Sequence, residues 1–159
     1  MRSVIFDLDG TLADTSADLI AAANAALAGI GAPPLDPVAD AATAFRGGRA
    51  MLRLSLERGR PGQAPDEGVV DRLYPVLLEA YAARIDAETR LYPGAMDAVA
   101  ALRRTGFAVA ICTNKPEGLA RLLLSRLGVL SEFGALIGAD TLAVRKPDPE
   151  TFHAAVAGA

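Results

Sequence analysis

Three short apolar runs bounded by turns, Val4 to Leu8, Ala108 to Thr113 and Ala135 to Ala139, constrain the fold of this chain more than any other feature. Continuous apolarity fits strands buried on both faces, as in a parallel sheet, rather than strands with one wet face. Helical patterns alternate with these runs. One is predicted from about Gly94 to Thr105, ending at Gly106, and another from Pro116 to Leu127. In the second, Leu119, Leu122, Leu123, Leu124 and Leu127 form a broad apolar face and Gly128 supplies a C′ stop. A further helix is predicted from Pro149 to Ala157. This alternation predicts an α/β fold, a Rossmann-like doubly wound parallel sheet.

The span between the first and second strands breaks the scheme. A crossover needs about a dozen residues, yet this one runs from Leu12 to about Phe107. Helical patterns fill it over Ser16 to Leu27, Ala41 to Glu57 and Glu67 to Arg84, with Thr15 or Ser16 as an N-cap. Gly31-Ala32-Pro33-Pro34 and Gly59-Arg60-Pro61-Gly62 separate them. The expected organisation is a core of residues 1–14 and 91–159 with an inserted α-helical cap at 15–90. The chain crosses near Ala13-Asp14 and again near Arg90-Leu91-Tyr92-Pro93-Gly94, where Pro-Gly is a candidate hinge.

Composition narrows the partners. A formal charge of −3 argues against nucleic acid and anionic membrane, so an anionic substrate must be caught by local positive charge. Cys112 is the one cysteine, which excludes an internal disulfide and a paired-cysteine zinc site. Met1-Arg2-Ser3-Val4 enters the first strand without the apolar segment of a signal peptide, and the expectation is a cytoplasmic protein, monomeric or weakly homo-oligomeric.

In a parallel α/β sheet the ligand site lies beyond the carboxyl ends of the strands. The first strand runs into Asp7-Leu8-Asp9-Gly10-Thr11, the second into Thr113-Asn114-Lys115, and Arg145-Lys146-Pro147-Asp148-Pro149 follows the third. Two carboxylates so close repel unless a cation or hydrogen-bond donors neutralise them. Hard oxygen ligands of this kind suit Mg²⁺, which reaches a phosphate through its remaining positions. The set fits phosphoryl transfer to an aspartate. Asp7 would attack phosphorus, Thr113 and Lys146 would hold the equatorial oxygens, and Asp9 would protonate the leaving alkoxide and later deprotonate water.

Asp-x-Asp-Gly-Thr, a strand ending Thr-Asn, and Lys-Pro-x-Pro, in that order, resemble the first three motifs of the haloacid dehalogenase superfamily. The insertion between the first two resembles that family's type-1 cap. By this resemblance Asp7 is the nucleophile, Asp9 the general acid/base, Thr113 and Asn114 phosphate binders, and Lys146 the phosphate-orienting cation. Gly10 and Thr11 begin the segment coupled to the cap, and Asp7 and Asp9 hold Mg²⁺. An Asp at position 9 points to phosphatases and mutases rather than dehalogenases. Thr113-Asn114-Lys115-Pro116 and the cap size look most like phosphoglycolate phosphatases, with Lys115 joining the phosphate contacts. A substrate carboxylate beside the phosphate would be read by Arg46-Gly47-Gly48-Arg49 of the cap, with both arginines as binders.

Other conspicuous residues have plainer expectations. His153 is expected at the surface and Cys112 in the core, Arg103-Arg104 at a helix C-terminus, and Tyr74, Tyr81 and Leu77-Leu78 in the cap's own packing. The family's fourth motif, a strand ending Gly-Asp with another acid soon after, is absent before the last residue, Ala159. That leaves two core strands unaccounted for and Val4 to Leu8 as an apolar edge. The expectation is a fragment, or a chain completed by a partner, whose Mg²⁺ site lacks an acid.

The function expected is Mg²⁺-dependent hydrolysis of a small phosphomonoester, best 2-phosphoglycolate, through an aspartyl-phosphate. A sugar-phosphate mutase and a catalytically impaired phosphate-binding or assembly module are the alternatives.

Overall fold

A computed structural model describes residues 2–159. The chain divides into two compact units, one containing residues up to Asp14 together with Arg90–Ala159, the other Thr15–Thr89.

The first unit is built on a three-stranded parallel sheet in the order β1 (Arg2–Phe6), β4 (Phe107–Cys112), β5 (Ala135–Ile137). The register pairs Phe6 with Ile111 and Cys112 with Ile137, so all three strands finish at one end of the sheet. β1 stops two residues earlier than its apolar run suggests. Asp7 turns its own carboxylate onto the Leu8 N–H at 2.8 Å, and the carbonyl of Leu8 then accepts from Thr11, Leu12 and Ala13. Leu8 is therefore fully buried as the plug of a tight loop, not as a strand residue. β5 likewise ends at Ile137, where Gly138 meets Glu117 at the start of the preceding helix. β2 (Ala13–Asp14) and β3 (Arg90–Leu91) pair antiparallel, tying the two chain crossings together. They are too short for sequence periodicity to reveal.

Helices α5 (Ala95–Arg104), α6 (Glu117–Arg126) and α7 (Pro149–Gly158) belong to this unit. α7 closes one face of the sheet, where Ala155 and Ala154 pack on Ala110, Cys112, Ile137 and Ile5. Val109, Ile111 and Leu136 alternate with that set and face the other way, also buried. Gly106 and Gly128, at positive φ, end α5 and α6 where only a residue without Cβ is unstrained. Cys112 is core, as expected, and His153 is exposed beside Phe152.

The second unit is helical: α1 (Ser16–Ala28), α2 (Ala41–Ala44), α3 (Gly48–Gly59) and α4 (Glu67–Ala83). Residues 41–57, read from the sequence as one helix, are two, because Gly47 takes φ 98 and stops the first. Thr15 is the N-cap residue of α1, but its side chain makes no capping bond. Asp66 caps α4 by accepting from the N–H groups of Gly68 and Val69. Leu73, Leu77 and Tyr81 of α4 are buried within this unit with Ile20, Leu27, Met51 and Leu52. Asp18, in the first turn of α1, is 5% exposed. Its carboxylate accepts from the N–H groups of Glu88 and Thr89 and from the Thr89 hydroxyl at 2.8–3.1 Å. No helix among the described residues is long and apolar enough to cross a membrane.

Candidate active site

Because the strands are parallel and in register, the residues that follow them converge at one sheet end. Asp7 leaves β1 beside Cys112 and Thr113, and Thr113 is held by its N–H donating to the Ile137 carbonyl at 2.9 Å. Thr113 is 2% exposed, and its hydroxyl accepts from the Lys115 N–H at 3.2 Å. Lys146 reaches back over the end of β4. Its ammonium donates to the Cys112 carbonyl at 3.0 Å and lies 3.1 Å from Asp7 Oδ1. Asn114 Nδ2 donates to the Lys146 carbonyl at 3.3 Å, and the Lys146–Pro147 peptide is cis. The Asp7 side chain keeps 44% of its surface exposed, which leaves the carboxylate open to a ligand.

Asp9 is held differently. The loop from Leu8 to Ala13 is closed by Gly10 at φ 75, whose N–H donates to the Ala13 carbonyl, while Thr11 is exposed beside it. Lys115 Nζ lies 3.1 Å from Asp9 Oδ1, with the two side chains 4% and 16% exposed. Burial pushes the Lys115 pKa below the ordinary lysine value, against the opposing pull of Asp9 and, further off, Asp7.

Each carboxylate of the pair has its own lysine, which relieves part of the repulsion between Asp7 and Asp9 within the chain. Among the described residues no group of three or more acidic, histidine or cysteine side chains forms a metal cluster.

The loop after β5 is a supporting element that sequence reasoning missed. The Glu117 N–H donates to Asp140 Oδ1 at 2.7 Å, the Thr141 hydroxyl donates to Glu117 Oε2, and Ala139 N–H donates to the Lys115 carbonyl at 2.9 Å. Gly138 must be glycine, because a Cβ there would stand 2.5 Å from the Glu117 nitrogen. That glycine, directly after a strand, was the available signal.

Asp7, Asp9, Gly10, Thr11, Thr113, Asn114, Lys115 and Lys146 all lie in the first unit. Arg46 and Arg49 lie in the helical one. Arg49 stacks 4.5 Å over the Tyr74 ring and pairs with Asp71 at 2.5 Å, so its charge is already partnered. Arg46 is exposed on the turn between α2 and α3, and its side chain has no hydrogen-bond or ion-pair partner among the described residues.

Comparison with known proteins gives a consistent picture. Residues 1–158 match the family of haloacid dehalogenase-like hydrolases. A phosphoglycolate phosphatase of Cereibacter sphaeroides is 39% identical over 157 residues, covering 99% of this chain and 71% of that protein. One of Mesorhizobium japonicum is 38% identical over 148 residues, covering 92% of this chain. The alignment takes in 63% of that relative's length, so the chain spans somewhat less than two thirds of it. Among solved structures, a Lactobacillus delbrueckii protein provisionally named a phosphoglycolate phosphatase superimposes with a TM-score of 0.83 at 27% identity. That superposition covers 98% of this chain and 72% of the other.

Proposed function

This chain belongs to the haloacid dehalogenase-like hydrolases, and from that premise we propose that it hydrolyses a small phosphomonoester, 2-phosphoglycolate, through an aspartyl-phosphate on Asp7. The observation that carries the reading is the half-exposed Asp7 carboxylate at the end of β1, with the Lys146 ammonium 3.1 Å away. A nucleophile there meets phosphorus in line, while Lys146 and the Thr113 hydroxyl take the negative charge that spreads over the equatorial oxygens. Asp9 gives a proton to the departing alkoxide and removes one from the water that hydrolyses the phosphoenzyme. Asn114, bonded to the Lys146 carbonyl, holds the lysine's loop against the end of β4.

The donor set fits Mg²⁺. Asp7 and Asp9 offer hard oxygens, and Mg²⁺ is commonly bound through one or two carboxylates with water and substrate phosphate filling the rest. Bound there, it would neutralise charge on the transferring phosphoryl group. In the helical unit, Arg46 is the arginine available for the substrate carboxylate, since Arg49 serves Asp71 and Tyr74.

Phosphate release from 2-phosphoglycolate, followed with and without Mg²⁺ for the wild type and Asp7→Asn, tests the proposal. Mg²⁺-dependent release that disappears in the variant is expected, together with an acid-stable phosphoenzyme trapped only in the wild type. A requirement for a bisphosphate activator, with phosphate returned to product, would instead identify a mutase.

A further inference from the structure

Lys115 is the least exposed charged side chain at this end of the sheet, and it makes contact with a carboxylate, not with open space. Its side chain is 4% exposed and its ammonium is 3.1 Å from Asp9 Oδ1. A lysine so buried loses most of its hydration, and a neutral side chain of similar length would pack the same space without that loss. Its backbone is also fixed on both sides. The Lys115 N–H donates to the Thr113 hydroxyl, its carbonyl accepts from Ala139, and two residues on, the Glu117 N–H is held by Asp140. The ammonium is thus delivered from a rigid junction of β4, β5 and α6 to a carboxylate that sits on a loop.

This support bears on where the Asp9 carboxylate is aimed. Asp9 stands in the six-residue loop 8–13, after the end of β1, where a short side chain has rotamers to choose among. Proton transfer demands that the carboxylate be within hydrogen-bond reach of the leaving oxygen, and small misplacements cost large factors in rate.

We infer that Lys115 is a positioning residue for Asp9 and not a phosphate ligand: it ties Asp9 Oδ1 to the junction of β4 and β5 and so sets the orientation in which Asp9 meets the leaving group. The inference rests on the phosphatase reading above. It assigns Lys115 to the leaving-group side of the reaction, whereas Lys146 serves the phosphoryl side.

Leaving-group dependence separates the two roles. An alkyl phosphomonoester such as 2-phosphoglycolate needs a proton on its departing oxygen, while 2,4-dinitrophenyl phosphate leaves without one. Lys115→Met is expected to lower kcat/KM for 2-phosphoglycolate by about 10²-fold, the scale of positioned proton transfer, and for the dinitrophenyl ester by less than about threefold. Inhibition by inorganic phosphate should be unchanged, and Lys115→Arg should recover part of the loss. Equal losses on both esters, or weakened phosphate inhibition, would overturn the inference.

Because Lys115→Met removes the ammonium that faces the Asp9 carboxylate, the double variant Lys115→Met/Asp9→Asn, with neither charge, guards against misfolding. Its leaving-group profile should match that of Asp9→Asn alone, and an additional loss would count against the role. Hydrogen exchange reads the tether without any activity. Amides of residues 8–13 should exchange faster in Lys115→Met than in the wild type, and unchanged exchange would overturn the inference. A wild-type chain that hydrolyses neither ester would defeat the phosphatase reading, and exchange would still decide whether Lys115 holds the Asp9 loop.

Discussion

The Lys146 ammonium bridges two strands' ends at once, lying 3.1 Å from Asp7 Oδ1 and donating to the Cys112 carbonyl at 3.0 Å. The carbonyl fixes where the charge sits, and the carboxylate defines what it serves. Lys146→Met is expected to lower kcat by about 10²–10³-fold, the usual scale for removing a group that stabilises transition-state charge. Lys146→Arg should recover little, because a planar guanidinium cannot meet the carbonyl and the carboxylate from the same point. Steady-state kinetics on 2-phosphoglycolate, with circular dichroism to verify folding, checks both.

Asp18 accepts from Glu88 and Thr89 across about seventy residues of chain, just before the strand pair that joins the two crossings. Thr89 is 1% exposed, so its N–H and hydroxyl have no ready substitute in water. Asp18→Ala should cost about 3 kcal/mol, since each buried donor left without an acceptor is worth about 1–3 kcal/mol. Asp18→Asn keeps one acceptor oxygen and should cost roughly half as much. Urea denaturation of the three proteins measures this, and equal losses for both variants would mean that the negative charge, placed favourably in the first turn of α1, matters more than the acceptor geometry.

How far the sequence reaches depends on what sort of contact is asked about. β1, β4 and β5 were legible because each is a run of apolar residues that has no stable place except a buried strand, and the residues that follow them were legible because parallel strands deliver their ends together. The end of β1 was not, because Leu8 is as apolar as Ile5 while its carbonyl serves a loop. The break between α2 and α3 was written in Gly47-Gly48 but masked by the periodicity on either side. Asp18 with Thr89, and Lys115 with Asp9, are joined only by tertiary structure, and nothing local in either segment announces its partner. The sequence shows Asp7 and Asp9 as a carboxylate pair, and only the folded chain shows that each also has a lysine.

Asp40 supplies a pH dependence whose sign can be worked out. Its carboxylate is 4% exposed, accepts two bonds from Arg58 at 2.6 and 2.7 Å, and accepts the Asp36 N–H at 2.8 Å. The Arg58 guanidinium holds its pKa below the ordinary aspartate value of 3.8, in spite of the opposing effect of burial. A carboxylate depressed in the folded state contributes stability that is complete above its unfolded pKa and is lost as pH falls through the folded one. The stability difference between the wild type and Asp40→Asn should therefore be constant above about pH 5 and shrink below about pH 4. Chemical denaturation across that range tests it, and a difference that grows on acidification would contradict the assignment.

Arg46 and Arg49 stand three residues apart, yet their surroundings predict opposite phenotypes. Arg49 is committed to Asp71 and to the face of Tyr74, so removing it loses an ion pair and a stacking contact inside the helical unit. Exposed contacts of this kind are worth little, on the order of 0.5–1 kcal/mol each. Arg49→Ala should thus lower the unfolding midpoint slightly and change KM for 2-phosphoglycolate and 4-nitrophenyl phosphate alike. Arg46 has no side-chain partner among the described residues to lose, and its removal should leave the midpoint where it is. If Arg46 forks onto the substrate carboxylate, Arg46→Ala should raise KM for 2-phosphoglycolate by about tenfold or more, the value of one charge-assisted bond, and leave the nitrophenyl ester unchanged. A carboxylate-dependent KM effect in Arg49→Ala and none in Arg46→Ala would reverse the assignment, and would require Arg49 to exchange Asp71 for the substrate when it binds.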